Sequence, residues 1–206
     1  AAGREAFAQA GTGIEQIRFL DLYSCFPCAP QIAADMLGLA EDDPRPRTVT
    51  GGLAYAGGPG NNYSTHAIAA MVEKLRAHPG TLGLVSGVGW YLTKHAIGIY
   101  GSEPPPAPRR RTPPERIQRE VDALPRTAVA EAPNGPGTIE SYTVLHDREG
   151  APETGLVVGR LGNGARFWAN TPPDRDLLDA MEREEFIGRR GVVTHDAATT
   201  INLFQP

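Results

Sequence analysis

A chain of 206 residues, 40% hydrophobic and 21% charged, has the makeup of a soluble globular protein with room for one large or two small domains. Its net charge of -4 leaves no broad basic surface, which argues against nucleic acid as a partner. Two cysteines are too few for a disulfide scaffold and point to a reducing compartment, the cytoplasm, and no apolar run reaches membrane-spanning length.

The chain starts at Ala1 without an initiator Met, which fits a fragment or a processed product, and its first segment lacks the regions of a signal peptide. The pattern predicts a helix over 1–10, a strand over 17–23 and a helix over 29–39 with Ile32, Met36 and Leu39 on one face. A strand over 48–55 is expected to enter the glycine-rich "GGPGNN". An amphipathic helix follows, with Ile68, Met71, Val72 and Leu75 at helical spacing. Then "GTLGLVSGVGWYLTKHAIGIYG" reads as two strands around a loop. Alternating strands and helices imply an α/β layer over 1–103.

Residues 104–137 read as a Pro/Arg-rich linker, broken by one helical patch over 114–124. Arg109, Arg110 and Arg111 fit a solvated run, with phosphate contact as the alternative. From 138 to 206 the pattern changes to short strands with turns at 148–150 and 162–164. One helix interrupts them, with Thr171 as cap, Pro172 at the first helical position, Asp174 at the positive helix start and Gly188 at the end. Closing strands over 191–193 and 200–204 complete a small, partly open β-barrel of the OB type.

Both cysteines lie in "LDLYSCFPCAPQ", spaced Cys-x-x-Cys as Cys25 and Cys28 where a strand gives way to a helix. That position suits a thioredoxin-type redox pair, since a helix start favours a thiolate. The short lead-in argues against that fold, and no second Cys pair or nearby His completes a metal site. The alternative is two small, half-buried residues at a strand end.

Taken in order, "YSCFP", "GGLAYAGGPGNNYSTHAIAAMVEKLR" and "GLVSGVG" resemble the C-terminal half of the thiolase superfamily, in particular its sterol-carrier-protein thiolase branch. The terminal barrel is similar to the extra C-terminal domain of type-1 thiolase-like proteins, often labelled acetyl-CoA acetyltransferases. The resemblance implies an acyltransferase of lipid metabolism running a Claisen condensation or thiolysis of acyl-CoA. It also implies coenzyme A thioester as substrate, no covalent cofactor or metal, and an N-terminal half that carries the acyl-accepting cysteine. Without that half these residues should not catalyse thiolysis.

The resemblance places three site segments on the chain. Tyr23, Ser24, Cys25 and Phe26 stand at the first, where the branch has His-Asp-Cys-Phe, so Tyr23 replaces the His. Gly57, Gly58 and Pro59 stand at a Gly-His-Pro site, with Gly58 in place of the His. Gly87, Val88 and Gly89 stand at a Cys-x-Gly site, with Gly87 in place of the Cys. Gly58, Gly87 and Gly89 thereby become candidate substrate contacts, with Asn62 beside them. Cys25 then matters at the pocket and Cys28 for packing, with no functional disulfide between them.

A Claisen step needs a base near the α-carbon and donors for the thioester oxyanion. His95 is the candidate base, with a hydrogen-bonded strand histidine as the alternative. Asn61 and Asn62 open a helix and can donate to a thioester carbonyl or serve as caps. Tyr23 can carry a proton or simply pack. His66 reads as structural, and His146 and His195 have no evident partner. Two other functions compete: a catalytically degenerate module that binds acyl-CoA or a protein, and a nucleic-acid-binding barrel using Tyr142, Phe167, Trp168 and Phe204, which the excess of acidic residues disfavours.

Overall fold

The computed structural model describes residues 1–58, 60–105 and 112–206, in two compact units, Ala1–Leu124 and Pro125–Pro206. Arg109, Arg110 and Arg111, weighed above as a phosphate contact, lie outside the described residues, as does Pro59.

The first unit is built on a three-stranded sheet of β1 (Ile17–Asp21), β2 (Leu82–Gly89) and β3 (Lys94–Gly101). β1 runs parallel to β2, and β2 pairs antiparallel with β3 from Leu82↔Gly101 to Gly89↔Lys94. The helices are α1 (Ala2–Ala10), α2 (Cys28–Leu37), α3 (Leu53–Ala56), α4 (Tyr63–Ala77) and α5 (Pro114–Asp122). The sheet is covered on both faces. Leu20 and Leu84 join a core with Ile14, Leu22, Ala34 and Leu39, while Val85 joins another with Tyr63, Ala67, Met71 and Leu75. Burial on two sides explains why "FLDL" and "LGLV" are runs with little polar alternation.

α4 buries Tyr63, Ala67, Met71 and Leu75, one residue per turn along a single stripe. The close approach needs Gly83 in β2, where a Cβ would sit 2.1 Å from Met71 Sδ. α2 departs from the predicted face. Ala29 and Ala34 are its buried residues, while Ile32 and Met36 stay exposed at 43% and 76%. Small side chains let this helix lie close to its neighbours, and Leu39 is buried only after left-handed Gly38 has turned the chain.

The strand predicted over 48–55 does not form. The Val49 and Thr50 N–H groups donate instead to the Asp21 carboxylate, so no ladder is available to them. Gly51 and Gly52, at φ 90 and 84, then turn the chain into α3.

The second unit is a closed barrel of β4 (Gly135–His146), β5 (Pro152–Leu161), β6 (Arg166–Asn170), β7 (Arg190–Asp196) and β8 (Ile201–Gln205). The order β4-β5-β6-β8-β7 returns to β4, with β6 parallel to β8 at Asn170↔Leu203, so the barrel is closed where the sequence predicted a partly open one. α6 (Arg175–Arg183) lies between β6 and β7 in the chain, giving the OB-type arrangement. Phe167 fills the interior against Phe204, over Gly159, where a Cβ would lie 2.2 Å from its ring.

The cap of α6 is Asp174 and not Thr171: Asp174 Oδ1 accepts from Asp176 N–H at 2.9 Å and Leu177 N–H at 3.2 Å. The helix ends at Arg183, before Gly188. Gly150 and Gly164 take the left-handed conformation that their turns require.

Candidate functional site

β1 and β2 are parallel, and α4 returns the chain between them. The carboxyl ends of both strands, the start of α4 and the β2–β3 hairpin therefore meet at one end of the sheet. Open α/β layers place ligands at such an end.

A buried polar frame holds this end together. Asp21, the last residue of β1, is fully buried. Its Oδ2 accepts from Val49 N–H at 3.0 Å, Thr50 N–H at 3.1 Å and Thr50 Oγ1 at 3.0 Å. Its Oδ1 accepts from the Tyr63 hydroxyl at 2.8 Å. Burial pushes the Tyr63 hydroxyl pKa up to about 12, with the bond to Asp21 acting in the same direction and the Thr50 bond opposing it. Ser86 Oγ accepts from Tyr23 N–H at 2.9 Å, and Ser24 Oγ accepts from Leu53 N–H at 3.0 Å. Sequence reasoning missed this frame. Its one visible signal is Asp21, a lone acid inside "FLDL".

The predicted residues surround the frame. Tyr23 is half-buried, with its ring edge-on to Tyr63 at a centroid distance of 5.3 Å, so the ring packs. Cys25 and Cys28 are free and exposed, which corrects both the half-buried reading of the pair and the packing role expected of Cys28. Gly58 is exposed, and a Cβ there would lie 3.0 Å from Leu53 Cδ2. Gly87 sits in β2 with its missing Cβ 3.3 Å from Ser64 Oγ, and Gly89 pairs with Lys94. Asn61 is exposed in the turn before α4. Asn62 occupies the cap position without a side-chain cap bond; its Nδ2 donates to His66 Nε2 at 3.1 Å.

His95 is exposed and lies opposite Val88. Its Nε2 is 2.7 Å from the Leu92 carbonyl, which can only accept, so Nε2 carries a hydrogen and Nδ1 is the remaining nitrogen for proton transfer. The bond fastens an unusual hairpin tip. Trp90, Tyr91 and Leu92 all have positive φ, at 35, 45 and 62, a conformation that costs an L-residue roughly 1–2 kcal/mol each. Thr93 N–H and Thr93 Oγ1 both donate to the Trp90 carbonyl, at 2.9 and 2.6 Å. The tip holds Trp90 and Tyr91 75% and 79% exposed, Phe26 is 51% exposed on the loop after β1, and Tyr55 is 86% exposed in α3. Four large aromatics thus lie in water on the segments around one sheet end.

The two histidines expected to lack partners have them: His146 Nε2 lies 2.6 Å from Glu182 Oε1 and His195 Nδ1 lies 2.7 Å from Asn202 Oδ1. The barrel carries its own cleft of about 520 Å³, beside Tyr142, Leu156, Val158, Trp168 and Ile201, with no charged side chain in its lining. Among the described residues no group of three or more His, Cys, Asp or Glu could hold a metal ion, and no helix is long and apolar enough to cross a membrane.

Residues 116–198 match the thiolase-like protein type 1 additional C-terminal domain. The whole chain is similar to the crystal structure of a monomeric SCP2-thiolase-like protein type 1 from Mycobacterium smegmatis, at 41% identity and a TM-score of 0.85. That match covers 98% of this chain and 43% of the other, so the chain spans less than half the length of this relative. No curated protein matches it.

Proposed function

The chain belongs to the thiolase-like protein type 1 family, with that family's additional C-terminal domain, and from this membership we propose that its first unit forms the C-terminal side of an acyl-CoA site in an acyltransferase. The observation that carries the reading is the convergence of Tyr23–Phe26, Gly57–Gly58, Asn61–Asn62 and Gly87–Gly89 on the carboxyl end of β1 and β2, under exposed aromatics. The start of α4 offers backbone N–H groups and a positive dipole end to a thioester oxygen or a CoA phosphate, with Asn61 as a side-chain donor. Trp90 and Tyr91 offer flat apolar surface to the adenine or the acyl chain.

The chemistry this chain supplies is binding and orientation. Gly58 and Gly87 carry no titratable group where the resemblance calls for His and Cys. His95 is the proton carrier within reach of the same end, through Nδ1. The acyl-accepting nucleophile comes from the N-terminal half, a partner outside these residues, and the assembled protein acts in the cytoplasm. The two glycines also favour a second reading, in which thioesters are bound without turnover.

Titrating the longer protein, N-terminal half included, with CoA and acetyl-CoA by calorimetry tests both. Saturable binding that weakens several-fold in Asn61→Ala and Trp90→Ala is expected; absent binding removes the proposal. Acyl-enzyme detected by mass spectrometry, with turnover lost in His95→Ala, selects transfer. Binding with neither selects the degenerate module.

A further inference from the structure

Cys25 and Cys28 have lost their structural explanation, because neither is buried. The backbone bends at Cys25 and Phe26, turns at Pro27 and enters α2 at Cys28. Ala29 N–H donates to the Phe26 carbonyl at 2.9 Å, and Pro27 is held at φ -54, ψ -34, so a closed turn runs from Phe26 to Ala29 with Cys28 inside it and Cys25 immediately before it. With two residues between them, Cys25 and Cys28 have Cα atoms at most ~10 Å apart, and the bends at Cys25 and Phe26 shorten that span toward the roughly 4.4–6.8 Å of a disulfide. The segment is anchored on both sides. Ser24 Oγ takes the Leu53 N–H before it, and Ala29, next to Cys28, is buried.

The expectation of no functional disulfide rests on a packed Cys28; with both thiols exposed, we propose instead that Cys25 and Cys28 form a solvent-facing dithiol that closes reversibly to an intramolecular disulfide when it meets a low-molecular-weight disulfide. One cysteine, as thiolate, attacks a sulfur of the small disulfide, forming a mixed disulfide and releasing one small thiol. The other cysteine, as thiolate, attacks the protein sulfur of that mixed disulfide, closing the Cys25–Cys28 bond and releasing the second small thiol. The protein loses two electrons and two protons, and the oxidant gains both as two thiols. The two-residue spacing and the bend at Cys25 and Phe26 keep the second thiol near for the second attack, and exposure supplies access for the first. This chemistry needs no bound thioester, and its readout is separate from acyl-CoA binding although Cys25 lies in the Tyr23–Phe26 segment proposed for that site.

Incubating the full chain in glutathione buffers of increasing oxidised fraction, followed by acid quenching, intact mass and peptide mapping, tests it. Wild type is expected to become lighter by two hydrogens, with the cross-link mapped to Cys25–Cys28, and to revert with dithiothreitol. Cys25→Ser and Cys28→Ser are each expected to stop at a single glutathione adduct, with far-UV circular dichroism unchanged. A wild type that accumulates one or two glutathiones without an internal cross-link, pairs between chains, or keeps both thiols free in every buffer overturns the proposal.

Discussion

Tyr63, at the first position of α4, donates its hydroxyl hydrogen to Oδ1 of Asp21 at 2.8 Å, joining residues 42 positions apart in the chain. The same carboxylate takes three donors from Val49 and Thr50, so one buried acid ties β1, the 48–52 loop and α4 together. Asp21→Ala leaves the two backbone donors and two hydroxyls without it. The expected loss is roughly 2–4 kcal/mol in urea unfolding. A loss within experimental error would show that the loop is held elsewhere.

Alkaline pH should weaken the first unit through Tyr63. Its hydroxyl titrates at about 12 in the folded chain, above the ordinary value of 10.0. The folded state therefore keeps a proton that the unfolded state gives up. The contribution is fully present below pH 10 and is lost as pH rises from about 10 to about 12, amounting to about 2–3 kcal/mol. Tyr63→Phe should flatten this part of the stability profile. Equal slopes for wild type and variant across that window would refute the assignment.

The barrel should show the opposite dependence through Glu140. Arg160 Nε and Arg166 Nε each donate to this carboxylate at 2.6 Å and hold its pKa below the ordinary carboxylate range, Arg160 contributing most. A lowered folded value gives stability that is present above the unfolded pKa and lost as pH falls through the folded one. Glu140→Gln is expected to lower barrel stability at neutral pH, with the gap from wild type closing in acid. Unfolding followed by tryptophan fluorescence in a Trp90→Phe background, which leaves Trp168 as the barrel's reporter, reads this, and a gap that persists at low pH counts against it.

Relief of the hairpin tip is expected to stabilise the chain while harming the site. Tyr91 has φ 45 and is 79% exposed, so Tyr91→Gly removes left-handed strain and little buried contact. A gain of about 1 kcal/mol is expected in thermal or urea unfolding. If the tip serves CoA recognition, the same variant binds CoA less tightly. A variant both less stable and unchanged in binding would mean that the tip is held for another reason.

Local pattern was enough to locate α1, α4, the β2–β3 hairpin and the short strands of the barrel, because hydrophobic spacing and turn glycines act over a few residues. Gly150 and Gly164 were legible for the same reason: a left-handed turn declares its residue. The order of "YSCFP", "GGPGNN" and "GLVSGVG" marked three candidate site segments through a family resemblance, and the fold brought them to one end of one sheet. The sequence could not show that the backbone of Val49 and Thr50 would turn to a carboxylate rather than extend a ladder, nor that α2 would bury alanines and expose Ile32 and Met36. Nor could it show that Asn62, at the cap position of α4, would turn its side chain to His66 instead of capping, or that Asp174 would cap α6 in place of Thr171. Those outcomes depend on which groups the crossover and the barrel closure bring within hydrogen-bonding distance. The sequence by itself determined which segments could form elements and which chemistry each carried. Only the tertiary structure decided which buried donors Asp21 would satisfy and which thiols would be left facing water, because burial and pairing are properties of the assembled neighbours.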